Sequence, residues 1–385
     1  MSIYFDNSAT TKVDSEVLKY MNDFSDEFYA NPAALHRFGF EVEEKIKLET
    51  EKIAKLIGVE KNEIIWTSGG TESNNMALRG VAEAYKKVGN EIITTKIEHS
   101  SVMNTCKYLE ECGFKVNYLS TDSEGHISLD ELRELITDKT ILASIMLVNN
   151  EIGSVQNVEE IGKIIKSKNK NIIFHTDAVQ GLGKIKINCK KSYIDLLSAS
   201  SHKFHGPKGV GLLYKKSDVR IKPLIYGGGQ QDNLRSGTLN TVGIVGTVKA
   251  IEMIYNDFDN EIKSLYTLRD RLIDRLNDLH DKYNNININT KKTDSFAPHI
   301  VSVSFKGIRS EVMLHALEEK CIYVSAGSAC SSHSKKKSGT LTSIGLSDEM
   351  INSTIRVSFS KYNVVEEVDK FINEVDTLIP RLKLK

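Results

Sequence analysis

The chain has 385 residues, enough for two domains with substantial cores, and its 51 Lys and Arg balance 51 Asp and Glu. That balance removes the electrostatic case for nucleic acid or an anionic membrane as a direct partner. The opening MSIYFDNSATT lacks a basic region followed by an apolar one, and no later run is long enough to span a bilayer. Cys106, Cys112, Cys189, Cys321 and Cys330 form no CxxC pair and no zinc spacing, so reduced thiols in a cytoplasmic setting are expected.

In chain order, KVDSEVLKYMNDF places Val17, Leu18, Met21 and Phe24 at helical spacing. The loop YANPAALHRFG precedes a second helical run from about Val42 to Leu56. EIIWT reads as a strand; SGGTESNN follows it, with a long helix from near Glu72. IITTKI is a strand, EHSSV opens a helix, and KVNYL is a further strand. Ser128 and Glu131 stand at capping-box spacing before ELRELI. ILASIMLV suits a strand buried on both faces and ends at NNEIG. A helix near 157–168 and the strand NIIFH lead to TDAVQ, and the apolar YIDLL leads to SASSHKFHGPKG before VGLLY. Beyond the glycine-rich YGGGQQDNLRSGTLN come a helix from about Thr241 and a long helical run over 258–284. The polar NININTKKTDSFAPH reads as a loop. The last quarter holds strands IVSVSF and IRVSF, a helix near 310–319, and a final helix with Val364, Val368, Phe371, Ile372, Val375 and Ile379 on its apolar face.

Strands alternating with helices predict an α/β architecture, a mostly parallel sheet flanked by helices, with a smaller α+β domain after it. Ligands of such sheets bind at the carboxyl ends of the strands. SGGT, EHS, NNEIG, TDAVQ and SSHK all fall just there, a pattern that favours one shared site.

Each cluster has an ordinary reading and a chemical one. Lys203 is either a solvated surface lysine or an amine placed to form a Schiff base with a carbonyl cofactor. SGGT is either a common serine-glycine turn or a set of free N–H groups at a helix start, suited to a phosphate; it is neither a P-loop nor a GxGxxG. Asp177 is either a helix cap or a counter-charge that keeps a pyridine nitrogen protonated. His99 either caps a helix or stacks on a flat ring. Asn150 and Gln180 are turn residues or neutral donors to a phenolic oxygen. Together they can make up one pyridoxal 5′-phosphate site. Cys321 lies in an apolar run and is expected in the core. Cys330, in SAGSACSSHSKKKSGT, has small and polar neighbours with Lys335, Lys336 and Lys337 close by, the setting of an exposed thiol with an enlarged thiolate fraction. Arg356 is a surface residue or a bidentate grip for a substrate α-carboxylate.

FDNSATT, NPAALHRFG, TSGGTESNN, EHSSV, NNEIG, HTDAVQ, SSHKFHGPKG, RSGTLN, GSACSS and IRVSF stand in the order and spacing of the cysteine desulfurases. The chain resembles that family, in the class V branch of the fold-type-I pyridoxal-phosphate enzymes, nearly end to end. The resemblance implies a large cofactor domain over residues 15–257 with a seven-stranded sheet, and a smaller domain from 1–14 and 258–385. It implies that Lys203 carries the cofactor, Asp177 faces its pyridine nitrogen, and His99 stacks on the ring. Asn150 and Gln180 would lie near the phenolic oxygen, and Gly70, Thr71, Ser200 and His202 would hold the phosphate. Thr238 would reach the cofactor of a second subunit in a homodimer. Arg356, with Asn150, would bind L-cysteine. Cys330 would take the sulfur as a persulfide on a long mobile segment and pass it to an acceptor for iron–sulfur clusters or tRNA thiolation. The basic HSKKKSG run departs from the family pattern and leaves the acceptor open. A selenocysteine lyase or a class V aminotransferase would share most of the cofactor site, and a silent sulfur-relay scaffold would need none of it.

Overall fold

The computed structural model describes residues 2–326 and 337–382. Its main feature is a seven-stranded sheet in the order Ile64–Thr67, Gly211–Lys215, Leu196–Ser200, Ile173–Asp177, Thr140–Ser144, Glu91–Thr95, Lys115–Leu119. Gly211–Lys215 is antiparallel to both of its neighbours, which leaves Ile64–Thr67 parallel to Leu196–Ser200 and to the rest. The carboxyl ends of six strands therefore share one edge. The central strands are buried along their whole length, as strands covered by helices on both faces should be.

The two faces are covered separately. Ile53, Phe174, Phe204 and Val248 belong to one apolar cluster, and Ala77, Val81, Val102 and Leu213 to another. A third cluster joins Ile3 and Phe5 to the helices Phe258–Tyr283 and Val365–Leu382 and to a four-stranded antiparallel sheet. That sheet runs Ser325–Ala326, Thr354–Ser358, Ile300–Phe305, Ile286–Ile288, while Ile3–Tyr4 pairs in parallel with Ile322–Tyr323. Among the described residues no helix is long and apolar enough to cross a membrane.

Several expectations need correction. The strand expected from Tyr193 begins at Leu196, because Tyr193 is exposed and takes a left-handed φ of 55°. NININT is not simply a loop: Ile286–Ile288 pairs with Val303–Phe305, and its polar residues Asn289 and Thr290 are buried. Leu18 and Val364 are exposed, and Leu378 rather than Val364 completes the last helix's buried face. Cys321 is exposed too, at φ 57° just beyond the helix Ser310–Glu318. The capping box at Ser128 is half formed. Ser128 Oγ accepts from the Glu131 N–H, but the Glu131 carboxylate turns away to the Ser120 N–H and hydroxyl.

Candidate active site

Where Ile64–Thr67 ends, Ser68–Gly69–Gly70 turns sharply into the helix Gly70–Tyr85. Gly69 sits at φ 154°, a conformation only glycine adopts without strain, and it frees the first N–H groups of that helix. The turn is locked by the Ser68 N–H donating to Glu72 Oε2 at 2.7 Å, and Arg235 holds the same carboxylate. Ser200 closes one side of this corner, buried at the end of its strand. His202 lies beside it with Nδ1 against Thr10 Oγ1 at 3.1 Å. Burial, then the charges of Lys203 and Lys208, push the His202 imidazole down to about 4, so it is neutral at physiological pH.

Asp177, at the end of the next strand, is nearly inaccessible and accepts from Asn74 Nδ2 at 2.7 Å and from the Val179 N–H at 2.9 Å. Asn74 also donates to Ser101 Oγ at 2.8 Å, and Ser101 Oγ is 2.8 Å from His99 Nδ1. The capping role of His99 is seen directly. Its Nδ1 caps the helix Ser100–Glu111 through the Ser101 N–H, and its ring lines the cavity. Behind it, Glu98 accepts from the Met146 N–H and the Thr95 hydroxyl, and burial, with the Asp177 charge adding to it, pushes its carboxyl up to about 8. One strand layer deeper, His175 is held between Ser144 and Ser198, and burial pushes it down to about 3.

Lys203 follows the end of Leu196–Ser200 and is met by the N-terminal segment. Its Nζ donates to the Ser8 carbonyl at 2.5 Å and the Ala9 carbonyl at 2.8 Å. The Thr11 N–H and hydroxyl both donate to the His202 carbonyl, which straps this segment over the lysine turn. Gln180 Nε2 donates to the Ser8 carbonyl at 2.9 Å, with His299 Nε2 at 3.4 Å from its other amide atom. Arg356, buried in the strand Thr354–Ser358, donates from Nη1 to the Asn150 carbonyl at 2.7 Å and from Nη2 to Asp6 Oδ1 at 2.9 Å.

These groups surround a cavity of about 300 Å³ lined by Gly70, Thr71, His99, Asn150, Asp177, Gln180, Ser200, His202, Lys203 and Arg356. Ser8, Ala9, Asn74, Ser101, Met146, Val148 and Val179 line it as well. None of these seven was singled out from the sequence. Asn74 lies one turn inside the helix that SGGT opens, and Ser101 is the second residue of the helix that EHS opens, positions the clusters themselves marked. Thr238 is exposed and lies outside the cavity wall of its own chain. Cys330 lies outside the described residues, as do Lys335 and Lys336.

Pyridoxal 5′-phosphate fits this donor set. A helix N-terminus with no obstructing side chain on Gly69 or Gly70 suits a phosphate. A buried carboxylate that accepts two hydrogen bonds stands where a pyridine nitrogen would find its counter-charge. A flat imidazole and a primary amine stand on the cavity wall between them. The amine rests on the Ser8 and Ala9 carbonyls.

Residues 3–371 match the family model described as aminotransferase class-V. The chain is 44% identical to a cysteine desulfurase IscS of Clostridium botulinum over 378 residues, covering 98% of this chain and 94% of that protein. It is 44% identical to a cysteine desulfurase IscS of Methanosarcina thermophila over 382 residues, covering 99% and 93% of the two chains. A solved NifS-like protein superposes with a TM-score of 0.93 at 42% identity, covering 99% of this chain and all of the other.

Proposed function

The chain belongs to the aminotransferase class-V family and is a pyridoxal-phosphate-dependent cysteine desulfurase, and on that premise we propose how its own residues divide the removal of sulfur from L-cysteine. The bound cofactor supplies an electron sink that makes the α-proton of the amino acid removable and weakens the bond to sulfur. Lys203 carries the cofactor through Nζ. Gly70, Thr71, Ser200 and His202 hold its phosphate, Asp177 its protonated ring nitrogen, and Asn150 and Gln180 its phenolic oxygen. His99 stacks on the ring, its plane fixed by the hydrogen bond to Ser101.

Arg356 and Asn150 orient L-cysteine through its α-carboxylate. Lys203 Nζ would take the α-proton and return it, and the Ser8 and Ala9 carbonyls would give the protonated amine a place to rest. The Cys330 thiolate attacks the substrate sulfur. A Cys330–S bond forms as the carbon–sulfur bond breaks; the carbon keeps the electron pair and is protonated, leaving L-alanine and a persulfide on Cys330. The persulfide sulfur then passes to an acceptor, an iron–sulfur scaffold or a tRNA-thiolation enzyme.

Two further parts of the reading concern assembly. Thr238 reaches the phosphate of a second subunit, since it is exposed and remote from its own cavity while Thr71 is exposed at the cavity mouth. Residues 15–257 form the cofactor domain, with 1–14 and 258–385 forming the other, supported by the separate core that joins Ile3 and Phe5 to the C-terminal elements.

The observation that carries the assignment of roles is convergence. A lysine amine, a buried carboxylate, a helix N-terminus and a buried guanidinium face one cavity. The test compares wild type, Lys203→Ala and Cys330→Ala for visible cofactor absorbance, alanine release and persulfide. Lys203→Ala should lose alanine release. Cys330→Ala should keep the absorbance and bind cysteine yet transfer no sulfur, and persulfide at the normal rate from it would overturn the assignment of the nucleophile.

A further inference from the structure

Resting on the reading of Arg356 as the α-carboxylate grip, we propose that Asp6 is a positioning residue that sets the strength of that grip and loosens it for product release. Arg356 reaches the cavity with both ends of its fork already engaged, Nη1 on the Asn150 carbonyl and Nη2 on Asp6 Oδ1 at 2.9 Å. Its Nε is buried and has no hydrogen-bond acceptor among the described residues. The guanidinium therefore keeps an open donor while its charge is shared with a protein carboxylate. The pairing is built into the fold: Asp6 forms a backbone bridge with Ser358, two residues along the strand from Arg356.

The chemistry explains why such sharing helps. L-Cysteine and L-alanine carry the same α-ammonium and α-carboxylate and differ only by the sulfur. Arg356 contacts only what the two have in common, so every increment in its hold on the substrate strengthens its hold on the product equally. Binding that is uniform along the reaction raises affinity without speeding turnover. A second carboxylate already paired with the guanidinium weakens both holds together. Asp6 is not among the residues lining the cavity, so it acts through the arginine and does not touch the substrate.

The experiment uses the holoenzyme and titrates L-alanine and ethylamine, the same molecule without its carboxylate, following heat in a calorimeter. Asp6→Asn keeps an acceptor for Nη2 while removing the charge. It should tighten L-alanine about tenfold, the effect of removing one like charge near a carboxylate site, and leave ethylamine unchanged. KM for L-cysteine should fall with it. Asp6→Glu, which keeps the charge, should stay near wild type and serves where the asparagine variant folds poorly. An Asp6→Asn enzyme that binds L-alanine as wild type does, or more weakly, overturns the proposal. So does an equal change for ethylamine, which would mark a structural effect. Arg356→Gln separates the two layers of the reading. It should weaken L-alanine; if it does not, the carboxylate grip lies elsewhere and both readings fall.

Discussion

Gly211 was not marked by the sequence reading, and the structure makes it the most exacting packing position near the site. It opens the one antiparallel strand of the large sheet and passes directly behind the Gly69 turn. A Cβ on Gly211 would stand 2.6 Å from Gly69 Cα and 2.7 Å from the Ala199 carbonyl, both backbone atoms that cannot rotate away. Ordinary contact starts near 3.4 Å, so Gly211→Ala must displace the turn by about 0.8 Å. A helix N–H shifted that far moves from a hydrogen-bonding distance of about 2.9 Å to beyond reach. Losing one hydrogen bond to a charged group costs about 1.5–3 kcal/mol, or roughly a ten- to 150-fold weaker hold on the cofactor phosphate. The overpacking itself should destabilise the fold by about 1–3 kcal/mol. Cofactor affinity is measured by equilibrium dialysis with visible absorbance, beside a thermal melt. Gly209→Ala is the control. Its Cβ meets nothing within 4 Å but its φ is +75°, so it should lower the melting temperature and spare cofactor affinity. Gly211→Ala with cofactor affinity within twofold of wild type would refute the reasoning.

Other expectations follow from the buried charges. Lys184 and Glu261 form a 3.2 Å ion pair with both side chains almost fully buried, so Lys184→Met should cost about 3–5 kcal/mol in urea unfolding. Adding Glu261→Leu should recover most of that, and a double variant no better than the single one would contradict the account. Glu98 is raised to about 8, chiefly by burial, so its carboxyl holds a proton in the fold that it loses in the unfolded chain above about 4.5. The stability this contributes is present at low pH and is lost as pH rises toward 8, by roughly 1 kcal/mol per unit at most. Melting curves from pH 5 to 8 should therefore fall less for Glu98→Gln than for wild type, and a steeper fall would reverse the argument. Asn74→Ala removes donors to both Asp177 and Ser101, and should weaken cofactor binding roughly tenfold in the same dialysis assay, with Asn74→Asp no better.

The sheet edge was legible because parallel strands bring their carboxyl ends to one side, so polar clusters after apolar runs can be summed without knowing strand order. The single reversed strand, Gly211–Lys215, did not spoil this, since it lies between two strands that remain parallel to each other. What failed has a physical reason in each case. Cys321 has apolar neighbours, but the helix ends there in a left-handed turn that carries its side chain outward. Asn74 follows its cluster by one helical turn, and only the packing of its helix against Asp177 makes it a partner of the carboxylate. Gly211 went unmarked within an apolar run, although a glycine inside a strand is itself a sign of close backbone approach.

The N-terminal segment is the deepest omission, and its reason is chemical. FDNSATT was visible as a motif, but its work is done largely by carbonyl oxygens, which every residue has and no side-chain pattern encodes. Phe5 is anchored in the C-terminal core, and the next residue holds Arg356. Ser8 and Ala9 offer their carbonyls to Lys203, and Thr11 ties the lysine turn from the other side. Asp14 then receives Lys361 and Tyr362, closing the segment back onto the C-terminal elements. An α-amino acid presents its carboxylate and its α-proton on one carbon, so, on the proposed roles, the guanidinium that grips the first and the amine that takes the second must keep a fixed separation. Here the arginine sits in a strand of the four-stranded sheet and the lysine just beyond a strand of the seven-stranded one. A strap that grips Arg356 at Asp6 and the lysine turn at the His202 carbonyl fixes that separation directly, whether or not the amine rests on Ser8 and Ala9.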